Sequence, residues 1–276
     1  MGSIFKVYRE AMAEDRLEAT EVVANEVSAD DRRFGGVARL YGPELRERFR
    51  KATVVVAGLG GVGSWAAEAL ARTAIGHLVL VDFDHISQSN TNRQLHALEG
   101  EFGKAKVQAM AERIRLINPE ITLTICDTFL EPQNLEEWIP QEALVLDATD
   151  SVLTKIALAV WATQNQRALV MCGAAGGKSD PTSVRCEDLS RTEQDALLAK
   201  VRQGLRQDHG FSRNLKDKMG IRAVYSHEPR AGVASGGLAC SGYGSTVMVT
   251  AACGLAAAAE ILNLISIQSV GSVKSI

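Results

Sequence analysis

Thr53-Val54-Val55-Val56-Ala57-Gly58-Leu59-Gly60-Gly61-Val62-Gly63-Ser64 constrains this chain more than any other stretch, because a β-branched run breaks there into a glycine cluster and then opens into Ala66-Ala67-Glu68-Ala69-Leu70. A buried parallel strand, a tight turn and a helix N-terminus follow from that order, with backbone N–H groups and the positive end of the helix aimed at a phosphate. The pattern calls for a nucleotide without choosing among NAD, FAD and ATP.

Downstream, strand-like and helix-like segments alternate. Helices are expected over 62–73, 104–117, 152–164, 193–207 and 246–265, and strands over 77–81, 121–126, 143–146, 168–172, 183–186 and 222–226. That alternation predicts an α/β fold: a Rossmann-like, doubly wound, mostly parallel sheet whose C-terminal extension completes it. Residues 1–31 read as an acidic helical arm, 32–42 as a basic, glycine-rich connector, and 32–276 as one main domain. With 46% apolar residues the chain can bury a large core without staples. The five cysteines form no C-x-x-C pair, which argues against a zinc ribbon or a disulfide framework and suits a reducing, cytoplasmic setting. No charged residue occurs between Ala231 and Ala259, yet that stretch is rich in Gly, Ala, Ser and Thr and is expected to form a buried helix rather than a membrane span.

Candidate site residues gather at the ends of the expected strands. Asp82 follows the glycine turn by about 20 residues, the separation at which a carboxylate meets a ribose hydroxyl. Asp84 stands beside it, and Ser89-Asn90-Thr91-Asn92-Arg93-Gln94 adds amides and a guanidinium. Lys104 and Lys106 fall in the first turn of an expected helix, where the dipole disfavours cations, so an external anion is expected between Arg93 and Lys106. Asp150 lies in the expected crevice as a Mg²⁺ ligand or as the N-cap of the helix at 152–164. A basic run, Lys200, Arg202, Arg206, Arg213, Lys216, Lys218 and Arg222 against Asp208 and Asp217, stands out on a chain of net charge −3. It reads as a nucleic-acid grip or as a solvated face. Cys240, at a loop-to-helix junction, reads as a reactive thiol or as a small buried residue.

Taken together, the glycine turn, Asp82-Phe83-Asp84, Ser89 to Gln94, Lys106 and Asp147-Ala148-Thr149-Asp150 resemble the ubiquitin-activating-enzyme-like superfamily of ATP-dependent carboxylate adenylyltransferases. Within it, Arg33-Phe34-Gly35-Gly36, Arg39-Leu40-Tyr41-Gly42, Thr91 to Leu98, Asp180-Pro181-Thr182 and Cys240-Ser241-Gly242-Tyr243-Gly244 resemble the family that dehydrates threonylcarbamoyladenosine in tRNA. The resemblance implies that ATP adenylates the threonine carboxylate of that nucleoside at position 37, after which its own carbamoyl group displaces AMP and closes a ring.

Carried over position by position, Gly58, Gly60, Gly61 and Gly63 form the phosphate turn and Asp82 meets the ribose. Asp84, Ser89, Asn92 and Ser151 complete the nucleotide site, Asn90 and Arg93 meet phosphates, Lys106 meets the α-phosphoryl group, and Asp150 meets Mg²⁺. Arg93, Lys106 and Asp150 are the expected catalytic residues. Lys200, Arg202, Arg206, Arg213 and Lys216, within a basic segment at 193–239, are expected to meet tRNA. The resemblance further implies a homodimer and a monovalent-cation site for K⁺ or Na⁺, and leaves room for a cysteine desulfurase or sulfur acceptor as a partner. Many superfamily members carry a second arginine where Gly36 stands, which leaves Arg33 or Arg39 to substitute for it. Three other readings stay open: activation of the C-terminus of a sulfur-carrier or ubiquitin-like protein, an NAD-dependent oxidoreductase, and a non-catalytic nucleotide-binding scaffold.

Overall fold

The computed structural model describes residues 29–229 and 243–267. The expected N-terminal arm lies almost wholly outside the described residues, as do Cys240 and the end of the expected basic segment. The chain divides into two units, Met1–Gly36 and Val37–Ile276. Residues 32–41, expected as a connector, belong instead to helix α1 (Ala29–Tyr41). Gly35 and Gly36 cost this helix about 1 kcal/mol each relative to alanine, too little to break a run of otherwise competent helix formers. Gly42, at φ 88°, ends it and starts α2 (Pro43–Lys51), which carries proline in its first turn.

Strands β1 (Thr53–Ala57), β2 (His77–Val81), β3 (Thr122–Cys126), β4 (Leu144–Asp147), β5 (Leu169–Cys172), β6 (Val184–Asp188) and β7 (Arg222–Ser226) form one sheet in the order β3-β2-β1-β4-β5-β7-β6. Every pairing is parallel except β6 with β7. The expected doubly wound sheet is thus present, and β7 with antiparallel β6 extends it beyond β5. Side chains alternate across it. Val54, Val56, Leu78, Leu80, Leu144 and Leu146 enter one core with α2, α3 (Gly63–Arg72), α4 (Lys106–Ile117) and α8 (Val247–Ile267). Val55, Ala57, Val79, Val81 and Val145 enter the other with α5 (Leu135–Trp138), α6 (Val152–Gln164) and α7 (Ala196–Asp208). The direction of winding reverses between β1 and β4, which opens a crevice at their carboxyl ends.

Helix α8 is long and apolar enough to cross a membrane, with half of its most apolar window buried inside the fold. A Cβ on Gly254 would lie 2.4 Å from the Val62 carbonyl oxygen, so α8 meets the start of α3 at backbone distance, as a core helix does.

Candidate active site

A cleft of about 470 Å³ lies over the carboxyl ends of β1, β2, β4 and β5. It gathers Gly58, Gly60, Gly61, Asp82, Asp84, Asn90, Arg93, Lys106, Asp150 and Ser151 from the expected set. Gly58 has φ 84° and its missing Cβ would stand 2.9 Å from the Ala148 carbonyl oxygen, so this turn admits only glycine there. Gly63 serves packing and does not line the cleft. Ser89 and Asn92 also stand outside it, where the Ser89 carbonyl and Asn92 Oδ1 each accept a 2.8 Å hydrogen bond from Arg93 Nη1.

The Asp82 carboxylate accepts hydrogen bonds from Leu59 N at 2.6 Å and Asp84 N at 2.8 Å, tying the end of β2 to the glycine turn. Burial raises its pKa above the usual carboxylate range, against the opposing pull of Lys106 and the two backbone N–H groups. Lys106 is the first residue of α4 and is 4% exposed; its ammonium lies 2.7 Å from Asp84 and 3.8 Å from Asp82. Lys104, expected in that first turn, precedes the helix and pairs with Glu101 and Glu112. Its nearby carboxylates satisfy it, so of these two lysines Lys106 is the one that lines the cleft. Asn90 is buried and its Oδ1 accepts from Ser87 N at 3.0 Å, which closes a reciprocal cap on the turn at 87–90. Trp65 Nε1 donates to the Arg93 carbonyl at 3.0 Å and Leu95 N donates to Ser64 Oγ at 3.3 Å, so the first turn of α3 fixes the backbone that carries Arg93.

Ser151, and not Asp150, caps α6, accepting from Thr154 N at 3.2 Å. Asp150 is exposed on the cleft wall, and among the described residues no hydrogen bond holds its carboxylate. No group of three or more His, Cys, Asp or Glu side chains could hold a metal ion by itself among the described residues. A nucleotide-bound magnesium ion asks for less, one or two carboxylates beside phosphates and water, and the unbonded Asp150 carboxylate fits that demand. Behind it, the Asp147 carboxylate meets Lys155 Nζ at 3.0 Å with both side chains fully buried.

Several lining residues were not among the expected ones. Phe83 and Phe129, 50% and 58% exposed, pair at 4.6 Å between ring centroids on the β2–β3 side. Thr250 of α8 reaches Gly61, and Gly173, Ala174, Ala175 and Leu197 close the β5 side. The glycine-rich turn after β5 is pinned where Gly173 N donates to the Val224 carbonyl and Ala174 N to Asp195, each at 2.8 Å. The one hint in the sequence was position: Phe83 sits between Asp82 and Asp84, and Phe129 follows the end of β3.

The basic run does not form one uniform face. Arg202 is half-buried and donates to Thr192 Oγ1, Arg206 donates to the Ser212 carbonyl at 3.2 Å, and Arg222 pairs with Glu260 at 2.6 Å. Lys200, Arg213 and Lys216 are exposed. Cys126, Cys172, Cys186 and Cys253 are free thiols whose pKa values burial pushes upward, to about 12 for Cys253, so none of these four is an activated nucleophile.

A model of the ThiF family matches residues 35–274. The chain is 43% identical over 242 residues to the tRNA threonylcarbamoyladenosine dehydratase of Haemophilus influenzae, covering 84% of this chain and 93% of that protein. It is 44% identical over 247 residues to the Escherichia coli protein of the same name, covering 84% and 92%. The crystal structure of E. coli tRNA N6-threonylcarbamoyladenosine dehydratase, TcdA, in complex with ATP superposes with a TM-score of 0.81 at 43% identity, over 88% of this chain and 98% of that one.

Proposed function

Because the chain belongs to the ThiF family, we propose that it uses ATP to dehydrate threonylcarbamoyladenosine in tRNA. A carboxylate oxygen of the threonyl group attacks the α-phosphorus and pyrophosphate leaves. The carbamoyl group of the same nucleoside then attacks the acyl carbon of the adenylate and gives up a proton, AMP departs with the bonding electron pair and the former carboxylate oxygen, and the ring closes, so that the nucleoside has lost the elements of water. Both steps ask chiefly for alignment and for neutralisation of phosphate charge. The observation that carries this reading is the convergence of Arg93, Lys106 and Asp150 on a glycine turn whose neighbouring strand end supplies Asp82. The glycine turn and Asp82 suffice for an NAD enzyme, a reading that does not call for Arg93, Lys106 and Asp150 beside them. Activation of a carrier protein is disfavoured by the missing C-x-x-C pairs and by the relatives matched over most of their length.

In this reading Asp82 holds the ribose, the glycine turn and Asn90 the phosphates, and Arg93 and Lys106 the α- and β-phosphoryl oxygens. The Phe83–Phe129 pair, which lines the same cleft beyond Asp82, would offer an apolar surface to the base. Asp150 would hold Mg²⁺, which when bound neutralises phosphate charge. A K⁺ or Na⁺ site, a homodimer with Arg33 or Arg39 reaching a neighbouring subunit's ATP, and a cytoplasmic location belong to the same proposal.

The first test is stabilisation. ATP with Mg²⁺, at a hundredfold excess over its Kd, is expected to stabilise the protein by about 2.7 kcal/mol, and NAD is expected to leave its melting temperature unchanged. Stabilisation by NAD alone would overturn the reading.

For tRNA, the exposed Lys200, Arg213 and Lys216 remain the proposed backbone contacts. Each alanine substitution there is expected to flatten the dependence of log affinity on log salt by about 0.7–0.9 while leaving ATP affinity alone. Arg202→Ala and Arg206→Ala are expected to act mainly on stability, since both side chains are engaged within the fold. Titrating tRNA at several salt concentrations separates the two groups. Parent-like slopes in all three lysine and arginine variants would reduce the patch to a solvated face.

A further inference from the structure

Lys155 and Asp147 form the one ion pair among the described residues in which both side chains are fully buried. Such a pair is a poor stabilising device, because desolvating two charges offsets their attraction and apolar residues of similar size often serve as well. Its position is informative. Asp147 ends β4, and while its Oδ2 meets Lys155 Nζ at 3.0 Å, its Oδ1 accepts from Thr149 N at 3.0 Å and Thr149 Oγ1 at 2.7 Å. Between them, Ala148 N donates to the Ala57 carbonyl at 2.8 Å, and the Ala148 carbonyl lies where a Cβ on Gly58 would clash. The turn is therefore fixed at three consecutive points: to the buried ammonium, to the end of β1, and back on itself. Asp150 is the next residue, and its own carboxylate has no such support.

We propose that Asp147 and Lys155 are positioning residues that aim the Asp150 carboxylate at the phosphate end of the cleft, without touching ATP themselves. Lys155 sits on α6, eight residues after Asp147, so the helix and the strand that flank the turn are locked through it. The ammonium has a second effect in the same direction: it neutralises Asp147, so that Asp150 is the single uncompensated carboxylate of this turn facing a polyanionic ligand. The inference rests on the reading of Asp150 given above.

The test uses the full chain and measures ATP affinity by calorimetry with and without Mg²⁺, so that it does not depend on turnover. The key variant is Asp147→Leu with Lys155→Met, which removes both charges at similar volume. It is expected to melt near the parent's temperature, and to lose about tenfold or more of the gain in ATP affinity that Mg²⁺ confers, as changes behind a metal ligand do. Adding Asp150→Ala to it is expected to change the Mg²⁺ response no further, the signature of residues acting as one unit. Thr149→Val leaves the buried pair intact and removes one of its bonds to the turn; it is expected to show the same loss in smaller degree, and it decides the matter if the double variant does not fold. In turnover, kcat should fall while KM for tRNA stays at the parent's value. A double variant, or failing that a Thr149→Val variant, with the parent's Mg²⁺ response overturns the inference alone. A parent whose ATP affinity ignores Mg²⁺ overturns the reading of Asp150 and the inference with it.

Discussion

Replacing Lys106 with alanine is expected to lower kcat by about a hundredfold to a thousandfold, with ATP affinity changed only several-fold. That range is what removal of one preorganised donor at a developing charge costs in other enzymes. Lys106 is suited to such a role because it is already in place: 4% exposed, at the start of α4, and held between Asp84 and Asp82. Negative charge on the α-phosphoryl oxygens is greater in the transition state than in bound ATP, so an ammonium that need not be reorganised contributes more there. The fold should tolerate the change. Asp84 is mostly exposed and can be solvated, and Asp82 keeps its two backbone N–H donors. Arg93→Ala is expected to follow with a smaller drop, since one Arg93 nitrogen, Nη1, is already shared with the Ser89 carbonyl and Asn92 Oδ1. Single-turnover release of pyrophosphate, alongside equilibrium ATP binding, checks both. An unchanged kcat with only a raised KM for ATP would assign these residues to uniform ground-state binding.

Much of this site can be read in one dimension because parallel strands collect their carboxyl ends on one edge. Once Thr53–Ala57, His77–Val81 and Leu144–Asp147 are recognised as buried strands, Gly58, Asp82 and Asp150 must share a crevice, whatever lies between them. Side-chain direction is less accessible. Arg202 and Arg206 look like members of the same basic run as Lys200 and Lys216, yet α7 turns Arg202 and Arg206 toward the fold and Lys200 to solvent, while Lys216 stands exposed in the turn that follows. Lys104 and Lys106 differ by two positions, and a helix that starts at the second of them reverses the meaning of the first. Asp150 and Ser151 compete for one cap, and sequence preference barely separates aspartate from serine at that position. The Phe83–Phe129 pair joins residues from two different strand ends, which no local pattern connects. The Asp147–Lys155 bond depends on a helix folding back over its own strand, so its burial emerges only with the tertiary fold.

Gly63→Ala is expected to damage both the fold and the site, although no ligand is assigned to that residue. Its Cβ would stand 1.8 Å from the Gly58 carbonyl oxygen and 3.2 Å from Ala148 Cβ, contacts with backbone and a neighbouring strand end that no rotamer change relieves. Relief requires α3 to retreat from β1 by more than an ångström, and α8 blocks the way, since Gly254 already packs against the Val62 carbonyl at backbone distance. Overpacking of this kind costs about 3 kcal/mol or more. The retreat also moves Ser64 and Trp65, whose hydrogen bonds hold the backbone at Leu95 and Arg93, so the proposed phosphate contact of Arg93 loses register with the glycine turn. ATP affinity should therefore fall further than the loss of stability alone explains. Gly60→Ala is the informative control: nothing lies within 4 Å of its Cβ, so the fold should accept it, and any loss of ATP binding there reports clearance for the ligand itself. Urea unfolding and ATP titration on both variants separate the two roles. A Gly63→Ala protein that unfolds within about 0.5 kcal/mol of the parent, the range of a neutral surface change, would mean that the helix–strand contact yields where its geometry says it cannot.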